Sequence, residues 1–532
     1  MYVRKLTGQV IIDYGQAEVM TDKGMLRGVI SDGTYIFRGI KYADADRFQM
    51  PRPVEPWEGV KEAIVYGFAC PEITTVIPHD QFTVPHYFTV QSEDCQYLNI
   101  WTGSINSNEK KPVMVWLHGG GFSTGSGVEH YAYDGENLSK AGDVVVVTLN
   151  HRLNVLGHLD MSAYGEEYKY SGNAGIADIV AALQWIKTNI SEFGGDPDNV
   201  TIFGQSGGAG KVVTLINTPC ADGLFHKAIM QSGGMRHEED TTPEFSRKVA
   251  EYVMEYFGFA PEEAKKLETV SFDELSLAAK YAEDKIRALT KKHSVWFPVK
   301  DDDFFIGHPF NVGFRKGSEN IPLMCGSVMG EFMQNYTRPR GIGNKNTWSD
   351  EYAYKMIEEQ FGDKTDAVIS AFKKAYPGKK PQDVLFMDSQ GRKGAIDMAA
   401  LHSEFTDVGS YNFIFTWESK FNGGTIPWHN SEIPYIFRNA DYLEPSYTPR
   451  ETEKLMDEVS GAWVSFARTG DPNCDCLPKW EECTKEVNHA MIFDVDTRLG
   501  TDHDKELMSF LPDKAPSFTD LFKGSNVPEE KK

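Results

Sequence analysis

Two short apolar runs, Pro112-Val-Met-Val-Trp-Leu117 and Asp143-Val-Val-Val-Val-Thr148, constrain the fold of this chain more than any other feature. A strand with one wet face alternates polar and apolar residues; these runs are apolar at consecutive positions and are bounded by turn-forming residues. They read as strands buried on both faces, and such strands belong to parallel sheets covered by helices on each side. A third strand, Asn199-Val-Thr-Ile-Phe203, follows a helical stretch from Ile176 to Phe193, in which Ile179, Leu183, Trp185 and Ile186 supply an apolar face. Gly194-Gly195-Asp196-Pro197 stops that helix. Strand, helix, strand, turn, helix predicts an α/β architecture with a large, mostly parallel sheet and helices on both faces.

The 532 residues contain no internal repeat and no low-complexity linker, and they read as one domain over 1–523 with a frayed tail at 524–532. Charged helical sequence such as Ser246-Arg-Lys-Val-Ala-Glu-Tyr-Val-Met254 predicts a helical cap or subdomain over roughly 240–400. Lys and Arg number 54 against 77 Asp and Glu, a net charge of −23, which disfavours nucleic acid and anionic membrane surfaces as partners. The first residues hold no apolar run long enough for a signal-peptide core, and no stretch is long enough to span a bilayer. A cytoplasmic location is therefore expected, and the odd number of cysteines, seven, fits a reducing compartment. Cys474, Cys476 and Cys483 cluster without a second Cys/His pair to complete a zinc site.

The third strand runs into Gly204-Gln205-Ser206-Gly207-Gly208. A strand-to-helix turn this tight strains the serine backbone, and glycines two before and two after it remove the side chains that would clash. The hydroxyl then stands at the carboxyl end of the sheet, beside the free amides of a helix N-terminus. Alone, the pattern is as compatible with an ordinary glycine-rich loop. His118-Gly119-Gly120-Gly121-Phe122 shifts the balance, because it follows the strand 112–117, where the amides of an oxyanion-binding loop belong. Gly120, Gly121 and Gly207 are the expected donors, each worth roughly 3–4 kcal/mol in an acyl-transfer transition state. No GxxxxGK[ST] or GxGxxG pattern points to phosphate instead.

With these motifs in place, the chain resembles the type-B carboxylesterases, the family of the cholinesterases and the bacterial para-nitrobenzyl esterases. The resemblance runs nearly end to end. It is carried by Phe37-Arg-Gly-Ile-Lys-Tyr-Ala43, Ser92-Glu-Asp-Cys-Gln-Tyr-Leu-Asn-Ile100, Asn150-His-Arg-Leu153, Gly172-Asn-Ala-Gly175 with Asp178, Gln231-Ser-Gly233 and Trp463-Val-Ser-Phe-Ala-Arg-Thr-Gly470. It implies an α/β-hydrolase fold and an acyl-enzyme mechanism that needs no metal or organic cofactor. It also implies a triad acid at Glu331, although Gly330 and Phe332 depart from the usual neighbours, and a base at His429 followed three residues later by Glu432. Ser206, Glu331 and His429 stand in the nucleophile–acid–base order of these hydrolases. Ser232 resembles a serine that supports the acid in relatives, and Arg47 with Glu93 resembles a loop-fixing ion pair. Cys70 and Cys95 stand where secreted relatives form a disulfide, a bond expected here only in an oxidising setting.

Departures from the cholinesterases narrow the substrate. The segment from Cys70 to Cys95 contains no tryptophan to stack on a quaternary ammonium, and Gln205 stands where those enzymes carry a glutamate. Tyr87 and Phe88 could line an aromatic wall, and Lys292-His-Ser-Val295 lacks the paired aromatics that narrow an acyl pocket. The expected substrate is a small neutral ester of short or medium chain. Two rivals stay open on the sequence: thioester, lactone or amide cleavage by the same triad, and a non-catalytic binding member of the fold.

Overall fold

The computed structural model describes residues 10–11, 16–73, 83–233, 242–290, 295–301, 303–331 and 344–512. Twelve of the described strands form one sheet. At its centre Val145–Leu149, Lys111–Leu117, Gly195–Gln205, Lys227–Gln231, Leu323–Val328, Ser410–Phe415 and His489–Phe493 lie side by side, all parallel. Antiparallel strands close both edges: Tyr97–Thr102, Thr34–Lys41, Val29–Ser31 and Val10–Ile11 on one side, Arg498–Thr501 on the other. A second, three-stranded sheet joins Glu18–Met20, Met25–Arg27 and Val60–Glu62.

The predicted apolar runs are central strands, and their burial shows why they do not alternate. Val113, Val115 and Leu117 face one core with the helices Ala174–Asn189, Gly207–Ile216 and Gln390–Phe405. Met114 and Trp116 face a second core with the helix Glu451–Thr469. Each central strand therefore buries both its odd and its even residues. The predicted helix 176–193 is an α-helix to Asn189 and a 3₁₀ turn to Phe193, closed by Gly194 at φ 72°. The third strand begins earlier than expected, at Gly195, which pairs with Lys111 before a shift of register leads into Val200.

Apart from Gln390–Phe405, which packs on the main sheet, the helical material expected over 240–400 falls into two groups. Pro243–Phe257 and Phe272–Thr290 pack with Leu153, Leu156 and Tyr168 in one cluster. Asp350–Phe361 and Thr365–Ala375 belong to another, with Ile414 and Leu507. Leu323–Val328 runs between the two groups as a strand of the main sheet. The tail at 524–532 lies outside the described residues. No helix among the described residues is long and apolar enough to cross a membrane.

Candidate active site

The carboxyl ends of the parallel strands feed a set of turns that continue the ladder past the sheet. The Ser206 amide donates to Gln231 O at 2.8 Å, Ser232 to Gly326 O at 2.7 Å and Met329 to Phe415 O at 3.0 Å. The amide of His429 then donates to Glu331 O at 2.9 Å. Residues far apart in sequence are thus stitched together by backbone bonds.

Ser206 sits at φ 58°, ψ −122°, the residue just before the helix Gly207–Ile216. This is the strained conformation its flanking glycines predict, and the space around them explains their identity. A Cβ on Gly207 would run into the backbone of Gly121, and one on Gly208 into Leu117 O. The Cβ position of Gly119 lies 3.5 Å from Ser206 Cβ. Gly120 and Gly121 both have positive φ, 83° and 63°. Among the described residues their amides find no backbone acceptor, and Gly207, as the first helical residue, has no intrahelical acceptor for its own. The glycine loop and the serine turn are therefore packed directly against each other, with no room for a side chain between them.

Glu331 is buried, at φ 39°, and its Oε2 accepts from His429 Nδ1 at 2.5 Å. Its Oε1 accepts from the Val328 amide at 3.1 Å, which fixes the carboxylate against the end of its own strand. Gln205 brings its amide nitrogen to 3.1 Å from His429 Nε2 and 3.3 Å from Nδ1. Since Nδ1 donates to Glu331, Nε2 is left as the acceptor nitrogen of the neutral ring.

Glu432 is fully buried and accepts from Gln231 Nε2 at 3.1 Å, while Gln231 Oε1 accepts from Trp463 Nε1 at 3.2 Å. Burial, then the charge of Glu331, pushes its carboxyl up to about 7. Ser232 has φ 52°, but among the described residues its hydroxyl has no hydrogen-bond partner, so it does not bond Glu331.

Sequence reasoning missed two residues beside this centre. Asp388 precedes the helix Gln390–Phe405 and accepts from the Gly391 amide at 2.6 Å. Burial, then Glu331, pushes its carboxyl up to about 7 as well. The carboxyls of Glu432 and Asp388 are thus both raised toward neutrality. Lys211, fully buried in the helix after Ser206, donates to His118 O at 2.9 Å, and burial lowers its amine to about 7. The only cue in sequence was a cation in an otherwise apolar stretch, Ala209-Gly-Lys-Val-Val213.

His118 and His151 are buried and stacked, with centroids 5.1 Å apart, and desolvation keeps both far below the usual imidazole range. Arg47 holds Glu93 with two bonds and also donates to the carbonyls of Leu267 and Val270. Cys70 and Cys95 are buried free thiols, and Cys70 Sγ accepts from the Leu153 amide at 3.2 Å. Tyr87, tilted against Tyr131 with centroids 3.9 Å apart, is 46% exposed and Phe88 69%, so both belong to the surface. Of Lys292-His-Ser-Val295, only Val295 lies within the described residues.

Comparison with known proteins agrees with this architecture. The model of the carboxylesterase family matches residues 15–510. The para-nitrobenzyl esterase of Bacillus subtilis is 32% identical over 502 residues, 92% of this chain and 97% of the relative. The fumonisin B1 esterase of Sphingopyxis macrogoltabida is 31% identical over 490 residues, 86% of this chain and 83% of the relative. Among solved structures, an esterase from anaerobic Clostridium hathewayi that can hydrolyze aliphatic aromatic polyesters superposes with a TM-score of 0.90 at 42% identity, covering 94% of this chain and 99% of its own. A mostly parallel sheet, a strained serine at its carboxyl end and an end-to-end match to known esterases lead to one conclusion: the chain belongs to the carboxylesterase family, whose members are serine carboxylesterases of the α/β-hydrolase fold.

Proposed function

We propose that Ser206, His429 and Glu331 are the nucleophile, base and acid of an esterase acting on neutral esters of short to medium chain. The observation that carries this reading is the 2.5 Å bond from His429 Nδ1 to Glu331, made by residues whose turns are tied to the strained Ser206 turn through the ladder. His429 Nε2 takes the Ser206 proton as Oγ attacks the ester carbonyl, and Glu331 keeps the proton on Nδ1 and stabilises the imidazolium. The carbonyl oxygen, now an oxyanion, lies against the amides of Gly120, Gly121 and Gly207. The imidazolium then protonates the departing alcohol, and water repeats the sequence on the acyl-enzyme. Gln205 is neutral, so it adds no anionic charge beside the site to attract a cationic alcohol.

The test is turnover of p-nitrophenyl acetate and butyrate by the pure, folded chain, compared with laurate, a thioester, an anilide and a choline ester. A fluorophosphonate probe should label the protein, and Ser206→Ala should lose both label and turnover, with kcat down by about 10⁴-fold or more. The likeness to the Clostridium hathewayi esterase adds an aromatic–aliphatic diester to the panel. No turnover of the short neutral esters, or labelling that survives Ser206→Ala, overturns the proposal.

A further inference from the structure

The chain leaving the glycine loop meets the segment after Val84 in a cluster that the esterase mechanism does not use. His86 and His130 face each other across an isolated antiparallel bridge, and the Tyr87 amide donates to Glu129 O at 2.5 Å. The two imidazole Nε2 atoms are 3.0 Å apart, and Glu129 Oε1 lies 3.8 Å from that of His130. One donor atom from each of the three residues lies within 4.8 Å of the others. The His130 ring is buried and stacked on Tyr133, 4.5 Å between centroids and 4° between planes, so its orientation is fixed by packing.

We propose that His86, His130 and Glu129 form a binding site for a divalent transition ion of the zinc class. Two imidazoles and one carboxylate are the donors such an ion prefers, whereas calcium and magnesium take oxygen ligands almost exclusively. In a tetrahedral site with metal–nitrogen bonds of about 2.0–2.1 Å, donor atoms stand roughly 3.3 Å apart. With His130 held by Tyr133, His86 would move so that the two nitrogens open by about 0.3 Å, and Glu129 Oε1 would close on His130 by about 0.5 Å. His130 also lines a cavity of about 420 Å³ with Tyr66, Tyr133 and Asp134. The ion would pin the segment bearing His86 to the arm that descends from the oxyanion loop.

The test uses the full chain, stripped with EDTA and desalted, and titrated with Co²⁺ and then Zn²⁺ by calorimetry and absorption. One equivalent of Co²⁺ should bind with d–d bands and no thiolate charge-transfer band, and Zn²⁺ should displace it. Outer-shell partners alone are worth about 10–100-fold in metal affinity, so loss of a direct ligand in His86→Ala or Glu129→Gln should weaken binding by more than about tenfold. The thermal midpoint of each metal-free variant shows that it is folded. Cys474→Ser with Cys476→Ser guards against capture by those thiols, whose sulfurs lie 2.7 Å apart, and should leave binding unchanged. Absence of one-equivalent binding to the native chain overturns the site, as does affinity unchanged in both His86→Ala and Glu129→Gln, or lost in the double cysteine variant.

Discussion

The Gln205 amide nitrogen lies 3.1 Å from His429 Nε2, the atom that takes the serine proton in the proposed mechanism. In Gln205→Glu a carboxylate would replace that neutral donor and favour the imidazolium. The acidic limb of kcat/KM for p-nitrophenyl butyrate should move to higher pH by roughly one unit. A limb that stays in place would mean that Gln205 does not face the base in solution. Asp388 gives a second test, of stability. Its folded carboxyl titrates near 7 against an ordinary 3.8, so the folded protein holds a proton that the unfolded chain sheds first. Stability therefore declines as pH rises from about 4 to about 7, and Asp388→Asn removes that decline. The variant's gain in Tm should be greater at pH 8 than at pH 4.5, by about 1–3 °C. Scanning calorimetry at the two pH values checks it. Ser206 and its glycines could be read from sequence because the conformation they adopt admits so few residues. Asp388 could not, because what makes it unusual is its burial and the nearness of Glu331, 57 positions away in sequence.

At the scale of elements, the serine turn and the glycine loop interlock, so a methyl group is too large for their contact. Gly207→Ala must push Gly121 away and displace two amides together. Loss of one oxyanion donor costs about 10²–10³-fold in kcat, and Gly207→Ala should lose at least about 10² with its far-UV circular dichroism unchanged. Steady-state kinetics on the butyrate ester decides it. The central strands were legible where they are continuous apolar runs. Leu323-Met-Cys-Gly-Ser-Val328 falls inside the bounds of the expected helical cap, and Gly326 and Ser327 dilute its apolar pattern. Gly326 is there because a side chain would collide with the Phe413 ring on the next strand, a contact between residues far apart in sequence. Glu331 and His429 were reached by resemblance for the same reason. Neither has a local spacing that sets it apart from the chain's other carboxylates and imidazoles.

Over the whole molecule, two buried arginine–carboxylate pairs tie distant segments. Arg152 meets Asp178 at 2.7 Å, with both side chains almost wholly buried. Arg392 Nε meets Asp504 at 2.7 Å, and Asp504 also accepts from the Tyr376 hydroxyl at 3.0 Å. Asp504→Ala leaves an uncompensated guanidinium in the core, which costs about 3–5 kcal/mol. Urea unfolding should show the midpoint of Asp504→Ala well below that of the native chain. An unchanged midpoint would place little of the stability in this pair. The ladder that assembles the catalytic turns has a temporal side. Its bonds join residues 25 to 98 positions apart, so the chain must close long loops before Ser206, Glu331 and His429 meet. No fragment ending before residue 429 contains all three, which makes hydrolysis a clock for the completion of folding. During refolding, far-UV signal should recover first, and the first turnover should mark the moment the last parallel strands dock.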